Sequence, residues 1–152
     1  MANKIFKGGL DSLKDGSLDG TPDLRIMIVM TAFSGLTDGD VVNPADITTI
    51  DEFDGVGYVA YDAAGVAWSW DTGSGEWRLT FTNGAGNEFG DPVTVGSDTF
   101  FGILVKLNVD GTDANDIAVG FYGDGGGIGG NANSGPVGIT LPAAGLVFHR
   151  EA

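Results

Sequence analysis

Along most of the chain, apolar and polar residues alternate in short runs that glycine and aspartate interrupt. The opening segment is different. Phe6, Leu10 and Leu13 recur at i, i+4 and i+7, which predicts a short helix with these three side chains on the face docked against a sheet. Gly16 supplies a stop, and Gly8-Gly9 weakens the helix from within. Leu24 to Thr31 follows Thr21-Pro22-Asp23 as a near-continuous apolar run, the pattern of a strand buried on both faces in the middle of a sheet. Residues 34–46 carry turn chemistry and predict a long loop, with Asp46 capping one helical turn from Ile47 to Ile50.

A meander is expected next. Val56 to Tyr61 reads as a strand. Val66, Trp68 and Trp70 alternate with polar or small residues, Asp71 to Glu76 reverses the chain, and Trp77, Leu79 and Phe81 alternate in turn. This is a β-hairpin with one apolar face. After a glycine-rich link from Asn83 to Asn87, Phe100 to Val109 and Ile117 to Tyr122 are strands joined by the polar turn Asp110 to Asp116. The tract Gly123 to Gly138 reads as a loop or arm, and Val137 to Leu141 and Leu146 to His149 as short closing strands. About eight evenly spaced strands predict an all-β fold: a β-sandwich, jelly-roll-like, or a small barrel, with a short N-terminal helix. No internal repeat is evident, so residues 1–152 read as a single domain with a glycine-rich loop or arm at 123–138.

Composition narrows the function. At 152 residues and 42% hydrophobic, the chain is long and apolar enough to bury a core without disulfides, and it has no cysteine. A formal charge of −14 repels phosphate, which argues against nucleic acid and anionic membranes as partners. The longest apolar stretch, Ile26 to Met30, is far short of a membrane span, and no signal peptide is expected ahead of it.

Residues able to carry chemistry are few. His149 is the single histidine, and no G-x-S-x-G elbow supplies a serine partner. Asp110, Asp113, Asn115 and Asp116 crowd oxygens together, as Asp38 and Asp40 do on a smaller scale, but neither group has the alternating ligands, central glycine and terminal glutamate of an EF-hand. These are also ordinary turn formers. Two carboxylates beside a cleft would suit glycoside hydrolysis, and Trp68, Trp70 and Trp77 would suit stacking on sugar rings; yet they sit on the alternating apolar faces of neighbouring strands, and core packing or a subunit interface explains them without further assumptions. The glycine tract lacks the lysine of a phosphate-binding loop. The expectation is a protein that is not an enzyme, with no catalytic, cofactor or metal residues, working through its surface.

The order of landmarks adds a resemblance. Phe6-Lys7-Gly8-Gly9-Leu10, with Leu13 and Gly16, fits F-x-x-G-L-x-x-L-x-x-G, and the apolar strand Leu24 to Thr31 comes next. Asp46-Ile47, Glu52, Gly55, Gly57 and Tyr58 then resemble a D-I-x-x-x-E-x-x-G-x-G-Y segment with one extra residue in the spacing. A meander, a late hydrophobic strand from Gly102 to Asp110 and a short closing strand complete the pattern. In this order the chain resembles a family of small tailed-phage virion structural proteins, the capsid decoration (cement) proteins. Its glycine-rich tail is longer than that pattern, and Phe100-Phe101-Gly102-Ile103 stands where the family has a tyrosine-rich strand.

The resemblance implies a non-enzymatic protein on the outer capsid surface of a virion. Its partners would be the major capsid protein and copies of itself, a trimer being one arrangement. Hydrophobic and strand-edge contacts would hold it, with Ile5, Phe6, Leu10, Leu13, Trp68 and Trp70 as contact residues. If the N-terminal segment is the anchor, Phe6→Ala should lower capsid occupancy and leave the melting temperature unchanged. The alternative is a tail-fibre or receptor- or carbohydrate-binding β module that uses the tryptophans. An acid-type hydrolase built on two aspartates is a third reading.

Overall fold

The computed structural model describes residues 4–18, 22–30, 40–73, 75–82, 89, 93–95, 100–123, 135–137 and 146–149. The fold is all-β with one short N-terminal helix. Its strands are β1 (Lys4–Ile5), β2 (Leu24–Met30), β3 (Tyr61–Asp71), β4 (Glu76–Thr82), β5 (Val93–Val95), β6 (Phe100–Leu107), β7 (Ile117–Gly123), β8 (Gly135–Val137) and β9 (Leu146–His149). The helix α1 spans Lys7–Asp15, and a 3-10 turn covers Pro44–Asp46.

Seven strands close into a barrel in the order β1-β7-β6-β2-β3-β4-β9, rather than packing as the two layers of a sandwich or jelly roll. Every neighbouring pair is antiparallel except β1 and β9, which pair in parallel through Lys4 and His149. The exception is forced. Strand direction cannot alternate all the way round a ring of odd number, so one seam must be parallel. A separate two-stranded ribbon pairs β5 with β8.

The strand β2 is central, hydrogen-bonded to β6 along its length and to β3 over Leu24–Ile26. Its alternate residues supply two cores. Leu24, Ile26, Ile28 and Met30 point inward to meet Ile103 and Val105 of β6, Leu79 of β4 and Val119 of β7. Met27 and Val29 point outward with Leu104 and Phe121, under a cover formed by Phe6, Val41 and Ile47. Burial on both faces is what the unbroken apolar run requires. The cover is pinned by backbone hydrogen bonds from Gly8 to Val41 and from Ala118 to Val42.

Several local expectations change. The helix forms and ends on Gly16 at φ 81°, but its sheet-facing side is Gly8, Gly9 and Ser12, with Leu10 and Leu13 only half-buried. A Cβ at Gly9 would collide with the Val119 carbonyl oxygen, and one at Gly8 would lie 2.8 Å from that of Ala118. The glycines therefore let the helix lie flat on β7, a gain that outweighs their low helix propensity.

Asp46 ends a turn instead of starting one. It is the last residue of Pro44–Asp46, and its carboxylate accepts N–H groups of Val42 and Asn43, both at 2.9 Å. The stretch Val56 to Ala60 is not a strand. Gly57 at φ 88° turns it, and Val56 and Val59 are exposed. The glycine tract contributes β8, and β5 lacked any period-two signal because it is only three residues long. The rest of the tract, residues 124–134, and most of the strand expected over Val137–Leu141 lie outside the described residues, as does Asp38.

Candidate functional site

The β3–β4 hairpin pairs Trp70 with Trp77 and Trp68 with Leu79, so these four side chains share one face. Burial along that face is graded. Leu79 is in the barrel interior, Trp68 and Trp77 are half-buried against it, and Trp70 near the turn is 44% exposed. The rings of Trp70 and Trp77 are 5.3 Å apart between centroids and tilted by 57°.

Facing this pair is the outer stripe of α1. Lys7, Leu10, Asp11 and Lys14 fall at i, i+3, i+4 and i+7, on the side of the helix away from Gly8 and Ser12. Leu10 and Leu13 form one apolar wall and Trp70 and Trp77 the other, enclosing an open cleft of about 800 Å³. Lys7, Asp11 and Lys14 also line it. Asp11 is ion-paired with Lys7 and lies 3.9 Å from Lys14. The hydrogen bond from Lys7 holds the Asp11 carboxyl below its ordinary value.

The cleft collects three of the predicted contact residues, Leu10, Leu13 and Trp70, and adds Trp77. The other three do not line it. Phe6 is 1% exposed and Ile5 is 7% exposed, so both are core residues. Phe6 packs under the outer cover and Ile5 inside the barrel. Trp68 packs against the inner core and does not line the cleft. In the sequence Lys7, Asp11 and Lys14 fall off the helical face shared by Phe6, Leu10 and Leu13 and can stay in water, but their position opposite the tryptophans depends on how the helix crosses the barrel.

The aspartate-rich turn between β6 and β7 is a structural lock. Asp116 is fully buried; its Oδ1 accepts the N–H groups of Val109, Asp110 and Gly111 at 2.8, 3.2 and 3.1 Å. Asp110 accepts from Thr112 and from the Asn115 side chain, and Asp113 from Lys106 at 3.2 Å. Oxygens of Asp110, Asp113 and Asp116 that looked available to a cation are turned to Lys106 of β6 or to donors of their own loop. Among the described residues no group of three or more His, Asp and Glu side chains is placed to hold a metal ion.

Comparison with protein-family models, curated proteins and solved structures gave no match.

Proposed function

We propose that this chain is a non-enzymatic structural protein of a tailed-phage virion, decorating and stabilising the outer capsid surface. The observation that carries the reading is the use to which the fold puts the residues of the resemblance. Phe6 seals the outer core, and Gly9 brings the helix onto β7. Asp46 fixes the cover, Ile47 is a buried part of it, and Glu52 bridges to Val29 of β2. Tyr58 donates to Glu52 at 2.9 Å and accepts the Ile28 N–H at 3.0 Å, closing the gap in the β2 ladder beyond the last β3 pair. The shared pattern is thus a set of fold-locking residues, which supports kinship in architecture. A closed barrel with a strongly acidic composition also suits a protein displayed at high density, because its copies repel non-specifically and expose few strand edges.

The deciding measurement is copy number in gradient-purified virions, by quantitative mass spectrometry against the major capsid protein. A ratio near unity is expected. A handful of copies per particle would move the protein to a tail fibre or receptor-binding position, and absence from the particle would end the virion reading.

A further inference from the structure

We infer that the cleft between α1 and the β3–β4 hairpin binds an acidic oligosaccharide, a sugar chain carrying carboxylates. Two tryptophans tilted against each other offer indole faces to the C–H face of a pyranose, and Trp70 is already open to solvent. Charge selects the kind of sugar. Of the chain's four lysines, Lys4 and Lys106 are buried, and Lys7 and Lys14 both stand at this cleft. Arg25 is tied to Asp62 by two hydrogen bonds. Lys7 and Lys14 share one aspartate, so the side chains that line the cleft among the described residues carry two ammonium groups against one carboxylate, in a protein of net charge −14. Lys14, with its side chain 79% exposed, is available to a ligand carboxylate. Asp11 adds an acceptor for sugar hydroxyls.

Size favours a small ligand over a protein partner. The volume falls within the roughly 300–1,000 Å³ of small-molecule sites, and among the described residues seven line the cleft, against the roughly 20–30 a side of a stable protein interface. The backbone of both walls is fixed before binding: the helix by its glycine contact with β7, the tryptophan strands by their register. Little ordering cost is left for the ligand to offset. The inference is independent of where on a virion the protein sits, since binding and copy number are separate measurements.

The test is tryptophan fluorescence of the full chain titrated with trigalacturonate and, in parallel, with its neutral counterpart galactotriose. A saturable change is expected with the acidic sugar, at least about tenfold tighter than with the neutral one at low salt. Trp70→Ala should weaken binding by at least about tenfold, and Lys14→Glu should abolish the preference for the acidic sugar. Both changes lie at exposed positions, so melting temperature should hold. No saturable change with either sugar overturns the inference, as does equal affinity for the two or binding indifferent to Trp70→Ala. A spectral change that tracks protein concentration without sugar would assign the cleft to a second copy of the chain and overturn it likewise.

Discussion

Lys106 and Asp116 form an ion pair, Nζ to Oδ2 at 2.8 Å, with side chains 6% and 0% exposed. The two residues stand on β6 and just ahead of β7, so the pair ties together the ends of the hairpin that forms one side of the barrel. Burial opposes charge on both groups. Three backbone N–H donors on Asp116, and the carboxylates of Asp113 and Asp116 around Lys106, restore it.

Removing the two partners should therefore have unequal effects. Asp116→Ala strands three backbone donors and takes from the buried ammonium the nearer of its two carboxylates, and should cost about 3–5 kcal/mol, the range for breaking a buried pair. Lys106→Met leaves the carboxylate its three N–H donors and should cost clearly less. Urea unfolding of both variants measures the difference, and equal losses would refute the assignment of Asp116 as the lock.

The same carboxylate sets an acid limit. Burial alone would raise its pKa, but Lys106 and the loop N–H groups lower it from 3.8 to about 2. A folded-state value below the unfolded one means that the group contributes its full stability above 3.8 and loses it as pH falls through about 2. Melting temperature should decline across that window, and the decline should be shallower in Asp116→Asn.

Gly9→Ala should destabilise the protein although alanine favours helix. The propensity gain is about 1 kcal/mol, whereas forcing a methyl group into the Val119 carbonyl should cost about 1–3 kcal/mol and lift α1 from β7. Thermal melting gives the net, and hydrogen exchange of α1 amides should show the helix opening first.

Tyr58→Phe removes one hydroxyl that serves both the Ile28 N–H and Glu52. The ring keeps its edge contact with Phe53 and its stacking on Phe89, so the loss should be confined to polar terms, about 1–3 kcal/mol for a buried donor left unpaired. Faster exchange of the Ile28 amide is the specific readout.

Phe6→Ala should lower the melting temperature sharply, with a loss of about 3–5 kcal/mol as for other buried phenylalanines. At 1% exposure Phe6 is a core residue, so the sequence-based expectation of an unchanged melting temperature does not hold. A capsid-occupancy test needs an exposed residue such as Trp70 in its place.

Local patterns carry information where local physics decides the structure. Period-two alternation through Trp68 and Trp70 and through Trp77 and Leu79 places side chains on one face whatever surrounds them, and it predicted the hairpin whose register pairs Trp70 with Trp77. The unbroken apolar run of β2 required two buried faces and received both cores. Gly16 could be read as a stop because a left-handed residue needs no tertiary context.

Long-range closure left no such trace. That the strands form a ring of seven with one parallel seam depends on contacts between Lys4 and His149, at opposite ends of the chain, and neither residue differs locally from one at a sandwich edge. Gly8 and Gly9 look like helix weakeners until a neighbouring backbone sits where their side chains would be. The crowded aspartates resemble ligands until the buried Lys106 and the loop amides take up their oxygens. The cleft itself exists only because α1 crosses the barrel opposite Trp70 and Trp77. Periodicity thus determined which faces are apolar, and packing in three dimensions decided which of those faces were covered and which stayed open.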